Sequence, residues 1–275
     1  MKRIVGFGAS HLGAVIQAAK NQALLRRLDV ELTLLSFLDY TPIVNVSAGK
    51  FDVNAEFAAA FRASVRADPA PELVFCTIGG GDHIVLGLAQ HERPFDFVIP
   101  PQAIQASPIV GVDYLSMLKD CEILPYDLFV GIMRTRVSAV RSFVKWIRSI
   151  TDIPICVMCL PPPIKDEEFI MKHPGRVLNE QLEKFGISPI ALRYKLWWLQ
   201  ASAQSEVCGE TGVTFLPVPD DAMDETGCLR KELYAGDPVH ANGSYGEMVI
   251  EQLCAIDAAA THHRNKAQDS QHASL

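Results

Sequence analysis

The chain has 275 residues, 49% hydrophobic and 21% charged, with a formal net charge of −7. The apolar fraction excludes a disordered chain, and no stretch approaches the roughly 18 uncharged apolar residues of a membrane span. The deficit of Lys and Arg argues against partners such as nucleic acid or an anionic membrane.

Arg3–Phe7 reads as a first strand. Only four residues separate Met1-Lys2-Arg3 from Gly8. That is too short for the apolar segment of a secretory leader, so a cytoplasmic location is the expectation. His11–Leu28 places Leu12, Val15, Ile16, Ala19, Ala23 and Leu24 at helical spacing. Val30–Phe37 is a second strand, and Asn54 is placed to cap a helix carrying Phe57, Phe61 and Val65. Glu72–Ile78 is a third strand running into Gly79-Gly80-Gly81. Tyr126–Ile150 reads as one long amphipathic helix. Ile153–Leu160 is a fourth strand, stopped by Pro161-Pro162-Pro163. Ile164–Gly212 reads as an elaborated crossover, with a helix over Ser188–Val207. Of its adjacent Trp197 and Trp198, one is expected in the core and the other partly exposed. Val213–Val218 is a fifth strand and Asn242–Ala258 a last helix. Residues 259–275 are expected to form a flexible polar tail. The seven Cys lie in apolar surroundings and read as reduced, buried thiols. Cys156 and Cys159 sit three apart on a strand and so point to opposite faces, which argues against a shared metal.

Apolar strands alternating with helices predict an α/β fold. The expected form is a three-layer α/β/α domain over residues 1–258, with a five-stranded parallel sheet in the flavodoxin-like order 2-1-3-4-5. Ligands in such a sheet bind beyond the carboxyl ends of the strands, where strand order reverses. Here that point lies between Gly8-Ala9-Ser10-His11 and Gly79-Gly80-Gly81-Asp82-His83. A helix starting near Ser10 would also direct N–H groups at an anion. Near the end of the chain, Asp237-Pro238-Val239-His240 makes a short turn that brings a carboxylate and an imidazole onto one rim. A serine nucleophile needs a base, and the base needs a group fixing its tautomer. Ser10, His240 and Asp237 supply those roles.

Four blocks in order resemble the SGNH (GDSL-like) hydrolases. Gly8-Ala9-Ser10 resembles the Gly-Asp-Ser block, with Ala9 in place of Asp. Asn45-Val46-Ser47-Ala48-Gly49, leading into a helix, resembles the second block. Gly79-Gly80-Gly81-Asp82 resembles Gly-Gly-Asn-Asp, and Asp237-Pro238-Val239-His240-Ala241-Asn242 resembles the final block. The resemblance implies a serine esterase, or an acyl transferase, working through an acyl-serine intermediate. Ser10 would attack, His240 act as base and Asp237 orient it. The backbone N–H groups of Ser10 and Gly49 would hold the oxyanion. The family's third donor is an Asn side chain, whose place is taken here by Gly81. The Gly81 backbone N–H or His83 would have to substitute, and His11 and His83 are candidate substrate-binding residues. The implied partner is a small ester or an acylated carbohydrate, with no cofactor and no metal; a homo-oligomer is left open.

Two other readings stand beside this one. A non-catalytic binding protein on the same fold would explain the missing Asn. A dinucleotide site would use Gly6 and Gly8 with Asp39, but His11 occupies the place of its third glycine.

Overall fold

The computed structural model describes residues 1–47, 50–79, 81–107 and 118–256. The first part of the chain forms β1 (Lys2–Gly8), α1 (Leu12–Ala18), α2 (Gln22–Leu28), β2 (Val30–Ser36), β3 (Val44–Ser47), β4 (Lys50–Val53), α3 (Ala55–Val65), β5 (Leu73–Thr77) and α4 (Asp82–Gly87). The middle forms β6 (Phe95–Asp96), α5 (Pro101–Ala106), β7 (Glu122–Ile123), α6 (Tyr126–Arg136), α7 (Ser138–Arg148) and β8 (Ile155–Met158). It closes with α8 (Glu167–Lys172), α9 (Gly175–Phe185), α10 (Ile190–Glu210), β9 (Thr214–Leu216) and α11 (Gly243–Ala255).

The main sheet has the order β2-β1-β5-β8-β9, with parallel pairing throughout. Counted within the sheet this is 2-1-3-4-5, the expected α/β topology. Every residue of β5 and β8 is buried, as strands covered on both faces require. α1 and α11 pack against each other, while α10 packs on α4, α6 and α7. Phe7 of β1 meets Phe57 and Phe61 of α3 edge-on, at ring separations of 5.6 and 5.4 Å. Phe143 of α7 lies 6.5 Å from the same ring.

The helix expected over His11–Leu28 is two helices. The Asn21 side chain accepts from the Leu24 N–H and starts α2 afresh. The helix expected over Tyr126–Ile150 also divides, at Val137, where ψ is −2°. There the Ser138 hydroxyl donates to the Thr135 carbonyl, the kind of bond that bends a helix.

Trp197 and Trp198 are both buried, so the expected partial exposure of one is incorrect. The reason is that 15 of the 21 residues of α10 are buried; the helix is enclosed on all sides, not laid on a surface. Trp197 Nε1 donates to the Leu160 carbonyl at 3.1 Å. Lys195 is enclosed too, with Nζ 2.7 and 2.8 Å from the carboxylate oxygens of Asp96 and 3.2 Å from the Phe97 carbonyl. Neither side chain of this ion pair reaches solvent. None of the seven Cys, all among the described residues, is in a disulfide; five are buried, but Cys121 and Cys254 are only partly so, because they lie at the surface near the ends of β7 and α11. Burial pushes Cys156 up to about 12, where it is protonated and unreactive. The tail at 259–275 lies outside the described residues.

Candidate active site

The carboxyl ends of β1 and β5 carry the two glycine loops. Gly8 pairs with Thr77 across the sheet, and a Cβ at Gly8 would land on the Thr77 hydroxyl, so only glycine fits. The chain then turns through Ala9-Ser10-His11 into α1, with the Leu12 N–H donating to the Ala9 carbonyl and the Gly13 N–H to that of Ser10. This turn leaves Ser10 exposed and tucks His11 inward, 6% exposed. α1 has only seven residues, too short for the anion-attracting helix end anticipated from the sequence.

The Asp237 turn is built by its own carboxylate. Oδ1 accepts the backbone N–H groups of Val239 at 2.8 Å and His240 at 3.0 Å. The His240 ring folds back so that Nδ1 lies 2.9 and 2.8 Å from the two carboxylate oxygens. A carboxylate only accepts, so Nδ1 carries a proton; in the neutral ring Nε2 then keeps its lone pair. Burial alone would raise the Asp237 carboxyl. The His240 ring and the two backbone donors outweigh it and hold the group down to about 2. Asp237 and His240 are therefore a formed carboxylate–imidazole pair, with a base nitrogen aimed away from the carboxylate.

That nitrogen is buried and takes no hydrogen bond. The Ser10 hydroxyl is thus not docked on it in this state; contacts of this type often close only with substrate bound. The ring against His240 is that of His11, at a centroid separation of 4.8 Å and an angle of 46°. Nδ1 of His11 is likewise buried without a partner. Burial, followed by the nearby His240 and His83, pushes His11 down to about 3, so the ring is neutral at physiological pH.

His83 is also buried, in the first turn of α4. Gln200 of α10 holds it. The Gln200 Nε2 donates to the Gly79 carbonyl at 2.6 Å, so its oxygen must face His83. That oxygen accepts the His83 backbone N–H at 2.8 Å and lies 2.9 Å from the ring Nδ1. Nδ1 therefore carries the proton and Nε2 only accepts. Burial pushes His83 down to about 4, the Gln200 bond opposing, so a second proton is not held at neutral pH. The free nitrogen of His83 can only accept, which excludes this ring as the substitute oxyanion donor.

Gly81 is the residue capping α4, at φ −84°. A Cβ there would meet only Ile84 and Val239 side-chain atoms, at 3.5 to 3.8 Å. The position therefore borders the Asp237–His240 turn and has room for a side chain. Gly49 lies outside the described residues. The stretch before it does not lead directly into a helix as expected: Val44–Ser47 pairs antiparallel with Lys50–Val53, and α3 starts only at Ala55.

Beside the turn, where Tyr234 bridges to Ala241, opens a cleft of about 890 Å³ lined by Lys165, Asp166, Asp224, Arg230, Lys231 and Tyr234. Lys165 lies 2.7 Å from Asp224 and Lys231 2.7 Å from Asp166; Glu225, Arg230 and Glu232 also line the cleft, whereas Ser10, Asp237 and His240 do not. Among the described residues, no group of three or more His, Cys, Asp or Glu is placed to hold a metal ion, and no helix is long and apolar enough to cross a membrane.

No protein-family model matches the chain, and no curated protein matches it in sequence. Solved structures similar to it include a GDSL-like lipase from Bacteroides thetaiotaomicron (13% identity, 92% of this chain and 87% of that one, TM-score 0.44). A catalytic mutant of an acetylxylan esterase from Geobacillus stearothermophilus is also similar (12% identity, 94% and 95% covered, TM-score 0.44). So is a carbohydrate acetylesterase from Sinorhizobium meliloti (9% identity, 98% and 100% covered, TM-score 0.41). The strand order and the site geometry stand independently of these likenesses.

The sequence reading missed Gln200 and Gln204. The Gln204 Nε2 donates to the Ile78 carbonyl at 3.1 Å, so both amides grip the loop after β5. Their one sequence signal was two glutamines a helical turn apart in an otherwise apolar segment containing Trp197 and Trp198.

Proposed function

We propose that the protein is a serine esterase, or an acyltransferase using the same intermediate, in which Ser10 is the nucleophile, His240 the base and Asp237 the residue that fixes the tautomer of His240. The observation that carries this reading is the Asp237–His240 pair: Nδ1 is tied to the carboxylate, and a bare Nε2 lies in ring contact with the residue following Ser10. A binding protein has no use for a base whose lone pair is buried and unspent.

In this mechanism the Ser10 oxygen bonds to the ester carbonyl carbon while its proton moves to His240 Nε2. The carbonyl π pair becomes an oxyanion. As that pair returns, the bond to the alcohol breaks and His240 hands its proton to the leaving oxygen. Water, or a sugar hydroxyl, then repeats the sequence on the acyl-serine. Asp237 keeps its charge throughout.

The test is Ser10→Ala. Turnover of p-nitrophenyl acetate is expected to disappear with the thermal midpoint unchanged, and a fluorophosphonate probe is expected to label wild type but not the variant. A variant as fast as wild type, or labelled as well, overturns the nucleophile assignment. Acetylated saccharides assayed alongside then define the alcohol.

A further inference from the structure

We propose that His11 supplies the oxyanion donor missing at Gly81, donating from its buried Nδ1 to the carbonyl oxygen of the bound ester as that oxygen becomes an anion. The inference rests on the Ser10 reading above.

The first argument is position. His11 follows the proposed nucleophile in the chain, and its ring is 4.8 Å from that of the proposed base. Gly81 borders the same turn through Val239. His240, His11 and the vacant side-chain position at Gly81 are thus neighbours, and Ser10 immediately precedes His11 in the chain.

The second argument is an unspent hydrogen-bonding atom. His11 Nδ1 is buried without a protein partner. Such a group destabilises the fold unless something satisfies it. A purely structural ring at this place would be served better by Phe or Leu. Two bare nitrogens, Nδ1 of His11 and Nε2 of His240, lie on rings in contact with each other. An ester attacked by Ser10 gives each a use: Nε2 receives the hydroxyl proton, and Nδ1–H meets the new negative oxygen.

The third argument is elimination. Among side chains, Gly81 has none to offer, leaving only its backbone N–H, and the Gln200 amide fixes His83 as an acceptor on its free nitrogen, which would repel an oxyanion. In its Nδ1-protonated tautomer, His11 remains as the side-chain N–H beside His240. It acts as a neutral imidazole, because burial and the neighbouring histidines keep a second proton off it. A neutral imidazole N–H is a competent partner for a developing oxyanion. No proton is transferred from it: the oxyanion accepts the hydrogen bond while forming and releases it as the carbonyl returns.

The experiment is His11→Phe, which keeps the ring, the burial and the packing on His240 but removes the nitrogen. With p-nitrophenyl acetate, kcat is expected to fall about 10²–10³-fold, the usual loss for one oxyanion donor, with KM changed little. Adding Gly81→Asn to this variant places an amide where there is room for one and is expected to recover at least about tenfold of the loss, on the same scale. The control is Gly81→Asn alone: were His11 merely structural, that substitution would change the rate by the same factor in wild type and in His11→Phe. If His11→Phe folds poorly, His11→Gln and His11→Leu replace it, and the amide variant is expected to be the faster by about tenfold or more. A His11→Phe rate within about threefold of wild type, a loss Gly81→Asn leaves untouched, or equal rates for Gln and Leu overturns the proposal. If wild type neither turns over esters nor labels at Ser10, the serine reading fails and takes the proposal with it. If wild type labels normally while His11→Phe keeps its rate, only the role of His11 fails.

Discussion

A histidine that stays neutral in the folded chain but titrates in the unfolded one ties stability to pH. His11 and His83 are held at about 3 and about 4, below the ordinary 6.5. As pH falls below 6.5 the unfolded chain binds two protons that the folded chain refuses, so stability falls with it. Their contribution is complete above pH 6.5 and is lost as pH falls toward 4 and then 3. Asp237, lowered to about 2 from 3.8, matters only below about pH 4 and so occupies a separate window. Thermal midpoints are expected to decline steadily from pH 7 to pH 4, and His11→Phe to make that decline shallower by about one proton's worth. Identical slopes in the two proteins would mean that His11 is protonated when folded. At this scale the sequence was readable where partners are close in the chain. Asp237 and His240 are three residues apart, and the turn between them needs nothing from elsewhere. The His11–His240 contact joins opposite ends of the chain, and no local pattern records it.

At the scale of elements, the five strands of the main sheet were legible from their apolar runs, which complete burial demands of β5 and β8, whereas the short pairs β3–β4 and β6–β7 were not; Asn54 and Asn242 cap their helices as their side-chain chemistry predicts. Helix continuity was not, because Asn21 and Ser138 interrupt stretches whose apolar spacing runs on unbroken. α10 misled for a related reason. Trp197 and Trp198 can both be buried only if neighbours close over every face of the helix, and that depends on α4, α6 and α7 arriving there. The contact of α1 with α11 shows how tight such packing is. A Cβ at Gly246 would overlap the Ala14 carbonyl of α1. Gly246→Ala must push the two helices apart and is expected to cost about 1–3 kcal/mol, read from the urea midpoint. An unchanged midpoint would show that the helices separate freely. Because α1 carries His11 at its start, the same variant should also lower esterase activity.

For the whole molecule, the parallel sheet brings the loops after β1 and β5 out at one end, which is why the order 2-1-3-4-5 was enough to expect Ser10 and Gly79 on neighbouring loops. Order alone does not say what braces that end. α10 does so, and it is anchored by Lys195 buried against Asp96, whose carboxylate also accepts the Leu118 N–H at 2.8 Å. Lys195→Met would leave that carboxylate buried without its cation, an expected loss of about 3–5 kcal/mol in chemical denaturation. A loss below about 1 kcal/mol, the range of surface pairs, would mean that water reaches Asp96. The other end of the brace has an evolutionary consequence. Any side chain at Gly79 would strike the Gln204 amide, and losing that amide would leave the Ile78 carbonyl without its donor. Neither position is free to drift by itself. Among descendants of this chain, Gly79 and Gln204 should be inherited as a couple, and lineages that exchange one should be found to have exchanged the other.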